Sequence, residues 1–551
     1  MTGTDSSTPL LSIRDLHIDG FSDDAWKPII DGIDLDLNRG EVLGLIGESG
    51  AGKSTLGLAA MGFVRDGCRF SGGSITFDGI DLINAPRETR RALRSTRIAY
   101  VAQSAAASFN PAHKLIDQYS EFPVLRGVMD KSDAERDAVD VFRRLKLPEP
   151  EEIGFRYPHQ VSGGQLQRAM TAMAVACRPD LIIFDEPTTA LDVTTQIEVL
   201  SAIRDTVRDL GTAAIYITHD LAVVAQMADR IKVLRYGETV EEKDTRTMLA
   251  TPEGAYTKSL WAVRSLETET KPQVDPNTIP QLAIRNITAA YGRTPVLHDV
   301  SFDIHRGRTV AVVGESGSGK STVARVICGL LPAKEGQVLL DDAVLPPMTR
   351  KRKKDQLRSV QLIYQMADTA LNPKQRIGEI IGRPVQFYLG LTGRARTERV
   401  RELLAEIDMD PDIYMHRFPG ELSGGQKQRI GIARALAAEP DLIICDEVTS
   451  ALDQLVAEGI LKLLARLQQA RQLTYMFITH DLATVEAIAD DVVVMQHGRV
   501  VEAGPKSAIF SPPHAPYTEL LLSSVPEMDP DWLTRVLEGR AAPASVANTE
   551  G

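Results

Sequence analysis

Two nine-residue runs in this 551-residue chain are suited to holding phosphate: Gly47-Glu48-Ser49-Gly50-Ala51-Gly52-Lys53-Ser54-Thr55 and Gly314-Glu315-Ser316-Gly317-Ser318-Gly319-Lys320-Ser321-Thr322. Each follows a short apolar run, EVLGLIG (41–47) and TVAVVG (309–314), which reads as a strand ending in a glycine loop. The glycines let successive backbone N–H groups wrap an anion, and the helix that follows points its positive end at it. In this P-loop pattern Lys53 and Lys320 reach the β- and γ-phosphates, and Ser54 and Ser321 hold Mg²⁺.

Carboxylates stand where such a site needs them. Asp185 and Asp446 end the apolar runs LIIFD and LIICD, so either can hold Mg²⁺ directly or through water. Glu186 and Glu447 come one residue later and are placed to orient and polarise an attacking water. His219 and His480 each lie 33 residues beyond that glutamate, and an imidazole there can donate to a γ-phosphate. Ser162-Gly163-Gly164-Gln165 and Ser423-Gly424-Gly425-Gln426 open helices and form a second kind of anion site. Each P-loop already has its own donors, so this second site has the character of one that serves the other half.

These residues are positioned by a duplicated architecture. VSGGQLQR (161–168) returns as LSGGQKQR (422–429), LIIFDEPTTALD (181–192) as LIICDEVTSALD (442–453), and ITHDLA (217–222) at 478–483. The offset is 267 at Lys53/Lys320, 262 at Gln103/Gln365 and 261 at the three later motifs, so the chain is two homologous halves. Runs 181–185, 214–218 and 231–235 read as buried strands, helices follow the P-loops to about Val64 and Leu331, and a helical stretch such as SDAERDAVDVFRRLKL (132–147) separates Gln103 from Ser162. Each half is thus an α/β core with a helical insertion. The expected layout is a flexible start at 1–10, a first domain at 11–265 with its insertion at about 104–175, and a linker at 266–281. A second domain at 282–535, its insertion at about 366–436, and a disordered tail at 536–551 complete it.

Composition narrows the function. A net charge of −12 argues against a protein held by general attraction to nucleic-acid phosphates. Four widely spaced cysteines with no CxxC pair make a zinc or iron–sulfur site improbable, and Cys328 and Cys445 read as small core residues. No stretch of about 20 apolar residues and no signal-peptide pattern is visible, which points to a cytoplasmic protein. The basic run Arg350–Lys354 reads as a solvated helix face.

The motif order, given twice, resembles the nucleotide-binding domains of ATP-binding-cassette (ABC) proteins over roughly residues 10–530. The resemblance implies an α/β fold of two P-loop ATP-binding-cassette domains in tandem, each an α/β core with a helical subdomain. It also implies ATP and Mg²⁺ as cofactors, with Gln103 and Gln365 contacting nucleotide and metal. In that family two domains pair head to tail. Carried onto this chain, one site joins Lys53, Ser54, Gln103, Asp185, Glu186 and His219 to Ser423, Gly424 and Gly425. The other joins Lys320, Ser321, Gln365, Asp446, Glu447 and His480 to Ser162, Gly163 and Gly164. Neither half lacks its glutamate, histidine or signature serine, so both sites are expected to hydrolyse ATP. The first signature starts with Val161 in place of leucine. The adenine-stacking aromatic is Tyr291 in the second half; in the first, register gives Gly20, leaving Phe21 or Trp26, with Phe21 preferred.

A narrower resemblance is to the dipeptide/oligopeptide/nickel import subfamily. It rests on the stretches after Gln103 and Gln365, on RYPHQVSGGQ (156–165) and RFPGELSGGQ (417–426), and on SPPHAPYTELLLSSVP (511–526) with its weaker echo TPEGAYTKSLWAVRS (251–265). It implies the ATP-hydrolysing subunit of an importer, peripheral on the cytoplasmic face of a bacterial-type membrane. Two membrane-spanning permease subunits would be its partners, and an extracytoplasmic solute-binding protein would deliver cargo. Di- or oligopeptides are the expected cargo, with nickel chelate, glutathione and haem as alternatives. The absence of cysteine after Cys445 implies no iron–sulfur cluster. A soluble tandem-cassette translation factor is the distant rival, disfavoured by the short acidic linker.

Overall fold

The computed structural model describes residues 8–22, 24–188, 191–262, 271–272, 274–275, 277–450 and 452–541. Among these, the chain forms two compact units, one comprising 8–262 and 526–541, the other 271–525.

The first unit holds two sheets. Leu11–Ser22 pairs antiparallel with Ala25–Leu37 on one side and Cys68–Phe77 on the other, and Ile80–Asp81 completes the four strands. The six-stranded sheet runs, in spatial order, Glu238–Asp244, Arg230–Arg235, Val42–Ile46, Ala213–Ile217, Leu181–Asp185, Ile98–Val101. Its last five strands are parallel, and only the Glu238–Asp244 edge is antiparallel. The P-loop strand Val42–Ile46 is internal, and Val42–Ile46, Leu181–Asp185 and Ala213–Ile217 are buried at every position. That is the pattern of parallel strands covered on both faces, and it explains why the sequence shows continuous apolar runs there instead of alternation. The core beneath the antiparallel sheet joins Leu11, Ile13 and Ile75 to Leu43, Leu45, Ile183 and Ile215.

The second unit repeats this plan. Its four-stranded sheet is built on Leu282–Tyr291, and its six-stranded sheet runs Val360–Ile363, Leu442–Asp446, Thr474–Ile478, Thr309–Val313, Asp491–Gln496, Arg499–Pro505. One core packs the antiparallel sheet on the P-loop strand, and another packs the helical insertion on the opposite side. The insertions contain Ala105–Ser108, Leu115–Leu125, Lys131–Arg144 and Gly163–Val175 in the first unit, and Ala367–Ala370, Ile377–Leu389, Gly393–Glu406, Pro411–Tyr414 and Gly424–Leu436 in the second.

Three expectations need correction. The helices after the P-loops stop at Ala59 and Ile327, short of Val64 and Leu331. Gly62 and Gly329 sit just beyond them at φ 65° and 70°, a left-handed turn that closes a helix. In the basic run, Arg350, Lys351, Lys353 and Lys354 are exposed, but Arg352 is buried and its Nε donates to Pro346 O at 2.9 Å. Residues 536–541, expected in a disordered tail, continue the helix Trp532–Ala541. This helix and residues 526–531 belong to the first unit, not to the second domain. Trp532 and Leu533 are buried, and the buried Gln226 side chain accepts from Leu533 N–H (3.0 Å) and donates to Glu527 O (2.9 Å) and Asp529 O (2.7 Å). The polar, small-residue composition after 536 hid these upstream anchors. Residues 1–7, the linker residues 263–270, 273 and 276, and 542–551 lie outside the described residues. On the described side of that linker, Lys271 Nζ is tied to Gly307 O, Gln468 Oε1 and Asp490 Oδ2 at 2.9–3.1 Å.

Candidate functional site

In each unit the internal strand delivers a P-loop, and the loop's first glycine is required by close approach. A Cβ on Gly47 would lie 2.2 Å from Leu234 O, and one on Gly314 2.1 Å from Met495 O, both carbonyls of the neighbouring strand. Lys53 Nζ donates to Gly47 O at 2.6 Å and Glu48 O at 2.9 Å. Lys320 Nζ makes the same pair to Gly314 O (2.7 Å) and Glu315 O (2.8 Å). Both lysines are buried under the loop they serve.

The adjacent strand ends bring the carboxylates in. Ser54 Oγ donates to Asp185 Oδ1 and Ser321 Oγ to Asp446 Oδ1, both at 2.9 Å. These are hard oxygen donors of the type Mg²⁺ prefers. Among the described residues no cluster of three or more His, Cys, Asp or Glu could hold a metal by itself. Burial, followed by the charge of Glu447, raises the Asp446 pKa in spite of the Ser321 hydrogen bond. A cation beside it would offset that cost.

Glu186 and Glu447 follow in the left-handed region, at φ 51° and 49°. A non-glycine residue pays strain there, and such strain concentrates at working sites. Their N–H groups bond Ile217 O and Ile478 O, each at 2.9 Å, which fixes both carboxylates at the strand ends. Gln103 Nε2 donates to Glu186 Oε2 at 2.9 Å, and Gln365 Nε2 to Glu447 Oε2 at 2.5 Å. His219 Nδ1 lies 3.2 Å from Glu186 Oε1, and His480 Nδ1 3.5 Å from Glu447 Oε1. Burial disfavours charge on His219, but the hydrogen bond and charge of Glu186 outweigh it and its pKa is raised. Burial likewise disfavours charge on Glu447, yet the His480 hydrogen bond and charge bring its pKa down. Thus P-loop, Asp, Glu, Gln and His converge within each unit.

The signature serines are placed differently. Ser162 Oγ accepts from Gln165 N–H (3.3 Å) and Gln165 Oε1 from Ser162 N–H (3.0 Å), a reciprocal cap repeated at Ser423 and Gln426. The two glycines have separate reasons. A Cβ on Gly164 would meet Thr195 Cγ2 at 2.2 Å, and one on Gly425 would meet Val456 Cγ1 at 2.4 Å, so these permit helix packing. A Cβ on Gly163 would meet nothing within 4 Å, and one on Gly424 only Leu452 at an ordinary 3.7 Å. Packing therefore makes no demand for glycine at these two positions, and their exposed helix starts leave backbone N–H groups open to an anion.

Of the aromatic candidates, Tyr291 is 42% exposed, and Arg325 Nη1 donates to its hydroxyl at 2.7 Å. Phe21 is 53% exposed and Trp26 42%, their rings edge to face at 5.3 Å. The Arg69 guanidinium sits 4.1 Å from the Trp26 ring centre and covers one face of it.

The sequence reading missed three contacts. Tyr100 Oη donates to Asp185 Oδ2 at 2.5 Å; register gives Leu362 at the equivalent place, so repetition offered no signal. Tyr256 and Tyr517 accept hydrogen bonds from the P-loop N–H groups of Glu48 (3.1 Å) and Glu315 (3.0 Å). Their 261-residue spacing equals that of the three later motifs and could have flagged them.

Comparison with known proteins agrees with this geometry. The ABC transporter family model matches residues 30–189 and 297–450, and the oligopeptide/dipeptide transporter C-terminal region matches 501–551. The chain is 35% identical over 566 residues to the glutathione import ATP-binding protein GsiA of Escherichia coli K12, covering 95% of this chain and 90% of that protein. It is 36% identical over 533 residues to the peptidoglycan transport ATP-binding protein YejF of Agrobacterium fabrum, covering 94% and 97%. Among the described residues no helix is long and apolar enough to cross a membrane. The chain therefore belongs to the ABC transporter family, as an ABC ATPase with two ATP-binding cassettes and the C-terminal region of oligopeptide/dipeptide transporters.

Proposed function

We propose that this chain is the ATP-hydrolysing subunit of a peptide importer. The observation that carries the reading is the doubled set of P-loop, Gln, Asp-Glu and His together with the match to the oligopeptide/dipeptide transporter C-terminal region. The two cassettes pair head to tail, so each ATP lies between one P-loop and the other half's signature. One site uses Lys53, Ser54, Gln103, Asp185, Glu186 and His219 with Ser423, Gly424 and Gly425. The other uses Lys320, Ser321, Gln365, Asp446, Glu447 and His480 with Ser162, Gly163 and Gly164. Tyr291 and Phe21 stack on the adenines.

Mg²⁺ would be held by Ser54, Gln103 and Asp185, and by Ser321, Gln365 and Asp446, where its charge would neutralise the phosphates. On ATP binding the lysines leave the loop carbonyls for the β- and γ-phosphates. Glu186 and Glu447 orient the water that attacks the γ-phosphate, while His219 and His480 steady those carboxylates and donate to the same phosphate. Closure and reopening of the paired cassettes drive two membrane-spanning permease subunits, against which the chain sits on the cytoplasmic face. A solute-binding protein on the far side delivers the cargo.

The identity to a glutathione importer favours a second reading, in which the cargo is glutathione, itself a small peptide. Uptake of labelled dipeptides, oligopeptides and glutathione by cells lacking this gene, complemented with wild type or with Lys53→Ala/Lys320→Ala, tests both. Uptake restored only by the wild type identifies the cargo. Uptake of all three that is indifferent to the gene overturns the peptide reading.

A further inference from the structure

We infer that Tyr256 and Tyr517, in the recurring motif near the end of each half, are positioning residues that brace the two P-loops in their nucleotide-binding form. The inference rests on nucleotide binding at the P-loops and assigns a role to a motif that the reaction itself does not use.

The geometry is specific to one peptide group. The peptide joining Gly47 to Glu48 presents its carbonyl to Lys53 Nζ at 2.6 Å and its N–H to the Tyr256 phenol oxygen at 3.1 Å. The peptide joining Gly314 to Glu315 does the same with Lys320 at 2.7 Å and Tyr517 at 3.0 Å. Rotating either peptide would break both contacts at once. The tyrosine therefore fixes the orientation of the carbonyl that parks the P-loop lysine. It also fixes the start of the loop whose later N–H groups must converge on phosphate.

The start of the helix that carries each tyrosine is itself held by a carboxylate on the antiparallel edge strand. Glu241 accepts from the N–H groups of Glu253 and Gly254, both at 2.9 Å, just before the helix Ala255–Ala262 that carries Tyr256. Burial opposes charge on Glu241, but these bonds bring its pKa down to about 2, so the anchor stays ionised. Glu502, 261 residues later, accepts from Ala515 N–H at 3.2 Å and from Thr518 Oγ1 at 2.5 Å, at the start of the helix Pro516–Leu522 that carries Tyr517. Both tyrosines are buried, and burial pushes the Tyr256 phenol up to about 12, so it remains neutral. One chain of contacts, from edge-strand carboxylate through helix start and tyrosine to P-loop peptide, thus occurs in each unit. The six-stranded sheet's edge strand is in this way linked to the loop that leaves the third strand of the sheet, counted from that edge.

The test uses the full chain with one P-loop silenced, Tyr256→Phe in a Lys320→Ala background and Tyr517→Phe in a Lys53→Ala background, titrated with a fluorescent ATP analogue and Mg²⁺. Each phenylalanine leaves a loop N–H without its partner and should raise Kd about 3- to 10-fold. In chains with both P-loops intact, each should raise KM for ATP while keeping kcat. Tyr475→Phe is the control for losing a buried phenol, since its hydroxyl bonds Leu464 O and no P-loop atom, and it should leave Kd unchanged. If a phenylalanine variant fails to fold, Glu241→Gln or Glu502→Gln takes its place and should weaken binding in the same direction. Unchanged Kd in the tyrosine or glutamate variants, or an equal change in Tyr475→Phe, overturns the brace. Failure of the single-P-loop parents to bind the analogue would instead overturn the nucleotide reading beneath it.

Discussion

His219 Nδ1 lies 3.2 Å from Glu186 Oε1, and the Gln103 amide closes on the other oxygen of the same carboxylate at 2.9 Å. The Glu186 carboxylate is thus gripped from both sides. The second unit repeats the grip with Gln365 and, more loosely, His480 at 3.5 Å. Both glutamates also carry left-handed backbone, so their position is specified by more than the rotamer.

The first prediction concerns these carboxylates. Glu186→Gln and Glu447→Gln keep size and remove the carboxylate proposed to orient water, so each should lower ATP turnover by about 100-fold or more at its own site. Nucleotide binding should persist, because neither glutamate supplies the P-loop donors. Steady-state turnover with equilibrium nucleotide titration checks this, and one variant with undiminished turnover would contradict two working sites.

The second prediction follows from the raised pKa of His219. Its folded value lies above the ordinary 6.5, so the His219–Glu186 pair stabilises the first unit fully below pH 6.5 and loses that contribution as pH rises through the folded value. The lowered pKa of Glu447 acts at the other end, its contribution being present above about 4.5 and lost as pH falls through the folded value. Thermal melting against pH should show both limbs, and His219→Gln should flatten the alkaline one while leaving the acid one.

A third prediction tests the C-terminal segment as part of the first unit. Leu533 is fully buried and its N–H bonds the buried Gln226 side chain. Leu533→Ala should destabilise that unit by about 2–5 kcal/mol, and Gln226→Leu should also destabilise it by leaving Leu533 N–H and two acceptors unpaired. Denaturant unfolding of the full chain checks both; unchanged midpoints would mean the segment adds no stability.

A fourth prediction separates the two signature glycines. Gly164→Ala drives a Cβ to 2.2 Å from Thr195 Cγ2 and should destabilise the helix packing, whereas Gly163→Ala meets open space and should leave melting unchanged. If Gly163 and its counterpart Gly424 face nucleotide, Gly163→Ala should still impair ATP turnover. Equal melting temperatures for the two variants would contradict the packing role of Gly164.

Much of this was legible in the sequence because the chemistry is local and written twice. The runs around Lys53, Asp185 and His219 carry their own strand and loop signals, and nearly constant offsets tie them to Lys320, Asp446 and His480. Contacts made across long separations were not legible. Tyr100 reaches Asp185 from a neighbouring strand and has no counterpart in the second half. Tyr256 and Tyr517 were visible as a repeated motif, but which loop they touch depends on how the edge strand and its helix fold back over the sheet. The helix Trp532–Ala541 docks on Gln226, some 300 residues away in sequence, and no local pattern encodes that.

In the proposed head-to-tail pairing each ATP is shared between the P-loop of one half and the signature of the other. Photolabelling with an azido-ATP, followed by peptide mapping of the trapped nucleotide, tests it directly in Ser162→Arg. Labelling should be lost from the peptide containing Lys320 and retained on the peptide containing Lys53. Loss confined to the Lys53 peptide would contradict head-to-tail pairing.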